Sequence, residues 1–361
     1  MKKLPGTDDK SLGAEPQAVS FTLQRRNLGS WQLWIGILFS LGFLFLAMRD
    51  VDLRQTANAL RRVNGLILIA AVVNSILSIA IKAFRWRLLL SANKAPSFVR
   101  SFSIFSIGVM MNTFLPARVG DFARAYLMGE VEEKSKVYVL GTVVVEKVTD
   151  LLFLLLSLVV LLSQMVLPEW LGGSARGMAL VLAFLIPSLA LFTWQREFIL
   201  RFSEWVIRFF PIAWREWLGK QIHNGLTSLE VVRQPRLIIG LFGISLLVWI
   251  VSAFTNYLVF LALGLTLPFW SSLLLLAVLQ VGASVPSSPG RVGVFQYLVI
   301  LTLSVVAVDK NVALGYSIVL YLVVYIPIVI IGSFCLWREK ITWQKLTEGA
   351  VLLNHLRKGE L

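Results

Sequence analysis

The sequence predicts an all-α polytopic membrane protein built from two inverted-topology repeats. Each repeat is expected to hold a re-entrant helical hairpin, with about six full spans beside the two hairpins. Three observations lead there. Hydrophobic residues fill 57% of the 361 positions and charged residues only 15%, against about 25% charged in an ordinary soluble domain. The charges collect in short stretches between apolar runs, among them 34–48, 66–81, 151–162, 178–193, 237–263 and 312–336. A seven-residue motif occurs twice, beginning at Pro116 and again at Pro289, an offset of 173.

The apolar runs identify the solvent. A spanning helix needs about 20 mostly apolar residues, and its backbone polar groups must be satisfied within the segment. Strands of a transmembrane barrel would instead read as alternating segments of about 10 residues, a pattern this sequence lacks. The formal charge of +14 is read as cytoplasmic loops enriched in Lys and Arg facing anionic lipid, and not as a nucleic-acid surface. The single cysteine, Cys335, lies in the last apolar run, and the two histidines, His223 and His355, are far apart. No disulfide, metal site or cofactor is expected. The polar stretch before the first run does not have the form of a cleavable signal peptide.

In chain order, residues 1–30 read as a cytoplasmic tail and 31–163 as the first membrane repeat. Its first helix covers 31–48 and its second 66–81. Between them lie four arginines and two aspartates, and after 81 come Lys82, Arg85, Arg87, Lys94 and Arg100 with no acid. That cluster is expected in the cytoplasm, which also puts the N-terminus there. A long helix over 136–163 closes the repeat. Residues 164–236 are a connecting span (178–193) followed by an amphipathic cytoplasmic segment (195–236) with aromatic residues among its charges. The second repeat, 237–340, ends at Trp337, Arg338 and Lys340 before a cytoplasmic tail, 341–361. Trp31, Trp34, Trp170, Trp270 and Trp337 fall at helix ends, as interface anchors do.

The repeat decides the architecture. Pro116-Ala-Arg118-Val-Gly120-Asp-Phe and Pro289-Gly-Arg291-Val-Gly293-Val-Phe agree at five of seven positions. At the same offset the run 66–81 falls on 239–254, and 137–163 falls on 310–336. Each motif follows an apolar stretch short for a span (98–115 and 271–285). Proline ends each stretch by removing a donor and crowding the preceding turn. Broken backbone at membrane depth survives only inside protein or beside a watery cavity, so each copy reads as a re-entrant hairpin. Following the chain across the membrane, the two hairpins open to opposite sides, as in many secondary transporters. Full crossing by 98–115 and by 292–308 is the competing arrangement.

Arg118 and Arg291 are the first functional candidates. At hairpin tips their charge lies at membrane depth, where it is expensive and usually functional, and a guanidinium matches phosphate geometry. The competing reading lets both reach the headgroups along their aliphatic stems. Pro116, Gly120, Pro289 and Gly293 shape the hairpins. Glu146, Lys147 and Asp150 share one region of the long helix. Either Lys147 neutralises Asp150 in a structural contact, or Glu146 or Asp150 pairs with Arg118 or Arg124 to form a gate. Asn112 and Gln280, near the tips, could bond exposed carbonyls or ligand. Arg85, Trp86 and Arg87 are assigned to headgroup contact at the cytoplasmic end of the second helix, with an ordinary basic and aromatic helix end as the alternative. Asn74 and Asn256 are expected in contacts between helices.

The residues from Asn112 through Pro116, Arg118 and Gly120 to Arg124, with Glu146-Lys147-Val-Thr-Asp150 and Arg85-Trp86-Arg87, resemble the lysylphosphatidylglycerol synthase transmembrane region, or flippase-like domain, over roughly 30–340. The resemblance implies translocation or handling of an amphiphilic, anionic lipid through Arg118, Arg124, Glu146, Asp150 and Arg291. Synthases of that family carry a soluble aminoacyltransferase domain after the membrane region. Only about 20 residues follow the last span here, so aminoacylation is not carried over.

The leading functional expectation is a flippase or transporter for an anionic phospholipid or a polyprenyl phosphate in a bacterial-type inner membrane. A non-catalytic accessory subunit of an envelope-lipid or glycan assembly system, with an envelope-biosynthesis protein as partner, is the second reading. A membrane-embedded lipid-phosphate transferase is the third, and it lacks the loop-borne acidic cluster such an enzyme would need. No nucleotide-hydrolase phosphate loop is present in the sequence, so a gradient, a partner or passive exchange would drive transport.

Overall fold

The computed structural model describes residues 30–92, 95–115, 118–164, 234–283 and 288–341. Among them there are helices and no strand. Ten α-helices follow in order: α1 (Ser30–Met48), α2 (Leu53–Arg61), α3 (Gly65–Leu89), α4 (Phe98–Phe114), α5 (Val119–Val131), α6 (Lys136–Gln164), α7 (Pro235–Ala262), α8 (Phe269–Gly282), α9 (Val294–Val305) and α10 (Lys310–Arg338).

Local chemistry sets the boundaries. Asp52 begins α2 by accepting from the backbone N–H of Arg54 at 2.8 Å. Asn64 begins α3 by accepting from Leu66 and Ile67, and Asp309 does the same for α10 through Asn311 and Val312. These are side-chain caps for donors that have no partner within the helix. Proline opens α7, where its missing N–H removes nothing.

The expected helices are all present among the described residues, with one extension and one addition. The second helix does not stop at residue 81 but continues to Leu89. Lys82, Arg85 and Arg87 therefore lie within α3 and not beyond its end. The charged stretch 49–64 contains α2, a short helix that packs on α10. The predicted span at 178–193, the amphipathic segment, Trp170, His223, His355, Pro116 and both tails lie outside the described residues.

Helices α3, α7 and α10 are long and apolar enough to cross a membrane. At 25 residues, α3 is about 37 Å long, beyond a hydrocarbon core of about 30 Å. The 29 residues of α6 make a helix longer still, but they include Glu146, Lys147 and Asp150. By contrast α4, α5, α8 and α9 have 17, 13, 14 and 12 residues.

Helices α3 and α7 pack against each other along their length, running in opposite directions. The N–H of Asn64 donates to Ala262, Asn74 donates to Val251 and Thr255, the Ser78 and Ser252 hydroxyls are 3.1 Å apart, and Arg85 reaches Ser245. Helices α4 and α5 also run antiparallel, from Asn112–Asp121 near their junction to Arg100–Glu132 at the far end. Their backbones meet at Gly108 and Gly120: a Cβ on Gly120 would overlap the Gly108 carbonyl oxygen.

Two apolar clusters flank the centre. One gathers Trp86, Phe105, Met111, Met128 and Tyr138, and the other Phe260, Leu275, Leu303, Tyr316 and Leu320. Large apolar side chains also cover the outside, with Leu66 80% and Ile239 72% exposed, while Arg85, Arg124 and Glu146 are buried. Apolar outside and charged inside is the distribution of a protein dissolved in lipid. Trp337, at the end of α10, is exposed as an anchor would be.

Candidate functional site

At the centre is a cavity of about 430 Å³ lined from α3 through α10, within the size range of small-ligand pockets. Helix α3 supplies Ser75, Ser78, Lys82 and Arg85, spaced three or four apart and so on one face. Helix α6 supplies Glu146, Lys147 and Asp150, and α5 with its leading residue supplies Arg118, Asp121 and Arg124. The second half adds Thr255, Asn256, Gln280, Arg291 and Tyr325. Asp150 stands midway along α6, with about 21 Å of helix on either side.

A buried ion-pair network forms one wall. Arg124, 1% exposed, grips Glu146 with two parallel bonds of 3.0 and 3.1 Å. It also touches Asp121 at 3.1 Å. Its guanidinium lies 5.1 Å from the ring centres of both Trp86 and Phe105, a cation–π distance. Arg85, also 1% exposed, binds Asp150 at 2.6 Å and lies 3.7 Å from Glu146. Lys147 pairs with Asp121 at 3.1 Å. A buried pair such as Arg124–Glu146 is tolerated only with close geometry and further hydrogen bonds. Ser245 beside Arg85 and Asn112 beside Asp121 supply some of those.

Arg118 and Arg291, 173 residues apart, both have left-handed backbones, with φ of 54° and 55°. For a residue with a Cβ this costs of order 1–3 kcal/mol each and is concentrated at functional sites. The turn at Pro289–Arg291 leads into α9. There Gln296 accepts from the N–H of Gly293 at 2.7 Å, and the Tyr321 hydroxyl donates to the Gly290 carbonyl at 2.9 Å. Helix α1 seals this turn from behind. The Ser40 hydroxyl accepts from Ser288, and Gly293, with φ 90°, packs so closely on the Ser40 carbonyl that a Cβ would overlap it.

The lysylphosphatidylglycerol synthase TM region family matches residues 33–332. The chain belongs to that family. Among its relatives, a UPF0104 membrane protein of Methanocaldococcus jannaschii is 25% identical over 228 residues, covering 62% of this chain and 92% of that one. A UPF0104 membrane protein of Methanothermobacter thermautotrophicus is 23% identical over 287 residues, covering 73% and 83%. No solved structure matches the chain. The protein is thus a multi-pass helical membrane protein of the lysylphosphatidylglycerol synthase transmembrane-region and UPF0104 type, and the whole cavity wall lies within the matched residues.

In this family member the structure brings Asn112, Arg118, Arg124, Glu146, Lys147, Asp150, Gln280 and Arg291 to one cavity. The pairings differ in part from the sequence expectation. Lys147 binds Asp121 and not Asp150, whose partner is Arg85. Arg124 takes Glu146, and Arg118 takes no carboxylate among the described residues. Arg85 and Trp86 are not at a headgroup surface: they are buried, one in the ion-pair network and the other donating from its indole N–H to Thr142 at 3.2 Å. Only Arg87 of that trio stays at the helix end, donating to the Pro96 carbonyl. Asn74 and Asn256 make the contacts between helices expected of them.

Two participants were not picked out from sequence. Lys82 reads in sequence as one of the basic cluster after residue 81, although the polar stripe Ser75, Ser78, Lys82, Arg85 in an otherwise apolar helix already carries the signal. Asp121 was passed over as part of the motif. It links Asn112, Arg124 and Lys147.

Proposed function

We propose that this protein is a lipid flippase or transporter, moving an anionic phospholipid or a polyprenyl-phosphate-type lipid across a cytoplasmic membrane. The observation that carries this reading is a central cavity lined with cationic side chains inside a bundle whose outer surface is apolar. Such a cavity gives a charged headgroup a polar place at membrane depth while its chains stay in lipid. The family's name describes the membrane region of a lipid-modifying synthase, which is consistent with lipid as the ligand.

The reading includes inverted repeats, and helix bounds support it. Shifted by 173, α3, α4, α5 and α6 fall on α7, α8, α9 and α10 to within a few residues at each start and within five at each end. Exchanging these four pairs of labels leaves the set of packed neighbours unchanged: α4 on α10 is matched by α8 on α6, and α3 on α10 by α7 on α6. Equivalent helices α3 and α7 run in opposite directions, as an axis in the membrane plane would require. On this reading the α4–α5 and α8–α9 pairs are the re-entrant hairpins, with Arg118 and Arg291 at their tips. Both termini are assigned to the cytoplasm, on the side of Arg338 and Lys340.

The test is reconstitution into liposomes with headgroup-labelled phosphatidylglycerol and polyprenyl phosphate, following label across the bilayer. Transport by the natural protein, and its loss in folded Arg118→Ala and Asp150→Ala proteins, is the expected result. Folded protein that moves neither lipid, with or without a proton gradient, would transfer the weight to an accessory role in envelope-lipid or glycan assembly.

A further inference from the structure

The charge balance of the cavity is more specific than its sign. Among the described residues, six cationic side chains line it (Lys82, Arg85, Arg118, Arg124, Lys147 and Arg291) against three carboxylates, Asp121, Glu146 and Asp150. Every carboxylate is already engaged within the protein: Asp150 by Arg85, Glu146 by Arg124, Asp121 by Arg124 and Lys147. Lys82, Arg118 and Arg291 have no carboxylate partner among the described residues. They come from three separate elements: the inner face of α3, the residue ahead of α5, and the turn ahead of α9. The two arginines are held there by left-handed backbones, and Arg291 lines the cavity together with Tyr325.

A surplus of three cations among apolar helices is costly unless a ligand brings compensating charge. A zwitterionic phosphodiester lipid brings none, and a singly charged phosphodiester leaves most of the surplus. A terminal phosphomonoester carries about −1.5 to −2 at pH 7, with its second ionisation near 6, and offers three strong acceptor oxygens. Two guanidinium forks and one ammonium are matching donors. Val248, Leu276, Leu279, Leu298 and Val324 line the same cavity with apolar surface, which suits the first carbons beneath a headgroup.

We propose that this cavity selects lipids ending in a phosphomonoester over phosphodiester lipids, seating the phosphoryl group between Lys82, Arg118 and Arg291, with Lys82 the specificity-determining residue. The proposal rests on the lipid-translocation reading and narrows its substrate.

The experiment uses the full chain in phosphatidylcholine nanodiscs, titrated by calorimetry with dioctanoyl phosphatidic acid and with dioctanoyl phosphatidylglycerol. At pH 7.5 phosphatidic acid is expected to bind at least tenfold more tightly. The ratio should fall below threefold at pH 5, where the phosphomonoester keeps one charge. Lys82→Met should bring the ratio at pH 7.5 close to one, and Lys82→Arg should retain the preference. Equal binding of the two lipids by the natural protein overturns the proposal, as does a ratio unmoved by Lys82→Met. Equal transport of both lipids in liposomes also overturns it while leaving the translocation reading standing. Tight, Lys82-dependent binding of phosphatidic acid without transport of either lipid supports the site and overturns translocation.

Discussion

Arg118 and Arg124 stand six positions apart and have opposite situations. The Arg124 guanidinium is consumed by Glu146, Asp121 and two aromatic faces. Arg118 has no carboxylate partner among the described residues and sits on strained backbone. The first arrangement is structural, and on the proposed reading the second receives the ligand, which gives two distinguishable outcomes. Glu146→Gln or Arg124→Met should each destabilise the protein by about 3–5 kcal/mol, because each breaks the two-bonded buried pair and leaves a charge short of its main partner. The double variant should recover much of that loss, read as a coupling in a thermal-unfolding cycle in detergent. Arg118→Gly should leave stability unchanged or raise it by up to about 1 kcal/mol, since glycine accepts φ near 54° freely. The same protein should lose lipid transport. A large drop in its melting temperature would show instead that Arg118 is a structural residue.

Among the helices, the α4–α5 pair depends on backbone contact more than on side-chain area. Gly108 and Gly120 bring the two helices together closely enough for Arg124 on α5 to reach over Phe105 on α4. A methyl group at 120 would meet the Gly108 carbonyl oxygen and the Asn112 backbone. Backbone cannot swing aside as a flexible side chain can. Gly120→Ala is therefore expected to cost about 1–3 kcal/mol of overpacking and to separate Asn112 from Asp121. Gly243→Ala, on α7 with nothing within 4 Å of the added carbon, should be neutral or slightly stabilising through helix propensity. Equal melting temperatures for the two variants would contradict this account of the helix pair.

Across the molecule, the antiparallel α3–α7 pair is the seam on which both halves are assembled. Ser78 and Ser252 lie near the middle of both helices with hydroxyls 3.1 Å apart, so their side chains face each other across the seam. In a chain whose Cys335 has been replaced by serine, Ser78→Cys with Ser252→Cys should form a disulfide on mild oxidation, seen as protection of both thiols from maleimide labelling. Full labelling after oxidation would mean that the two helices do not pack in this register.

The charge-free runs by themselves determined that this chain lives in lipid, because an apolar segment of some 20 residues has few other stable environments. They also located the long helices to within a few residues at most ends, and the 173-residue offset located the two motifs. Arg118, Arg291, Glu146 and Asp150 were recognisable because an ionisable group within an apolar stretch needs a reason to be there. Only the tertiary structure decided the partners. A charge at the end of an apolar run reads the same whether it reaches for headgroups or turns inward, and Arg85 turns inward because Asp150 and Glu146 await it more than 60 residues away on α6. Trp86 likewise reads as an interface aromatic until Arg124 is found over its ring. The same holds for Lys82, whose lack of a carboxylate is a property of the cavity around it and not of the residues beside it in the chain. Burial in an apolar solvent follows from each segment's own composition, whereas ion pairing follows from which segments meet, and that was settled by the packing of α3, α5 and α6 around one centre.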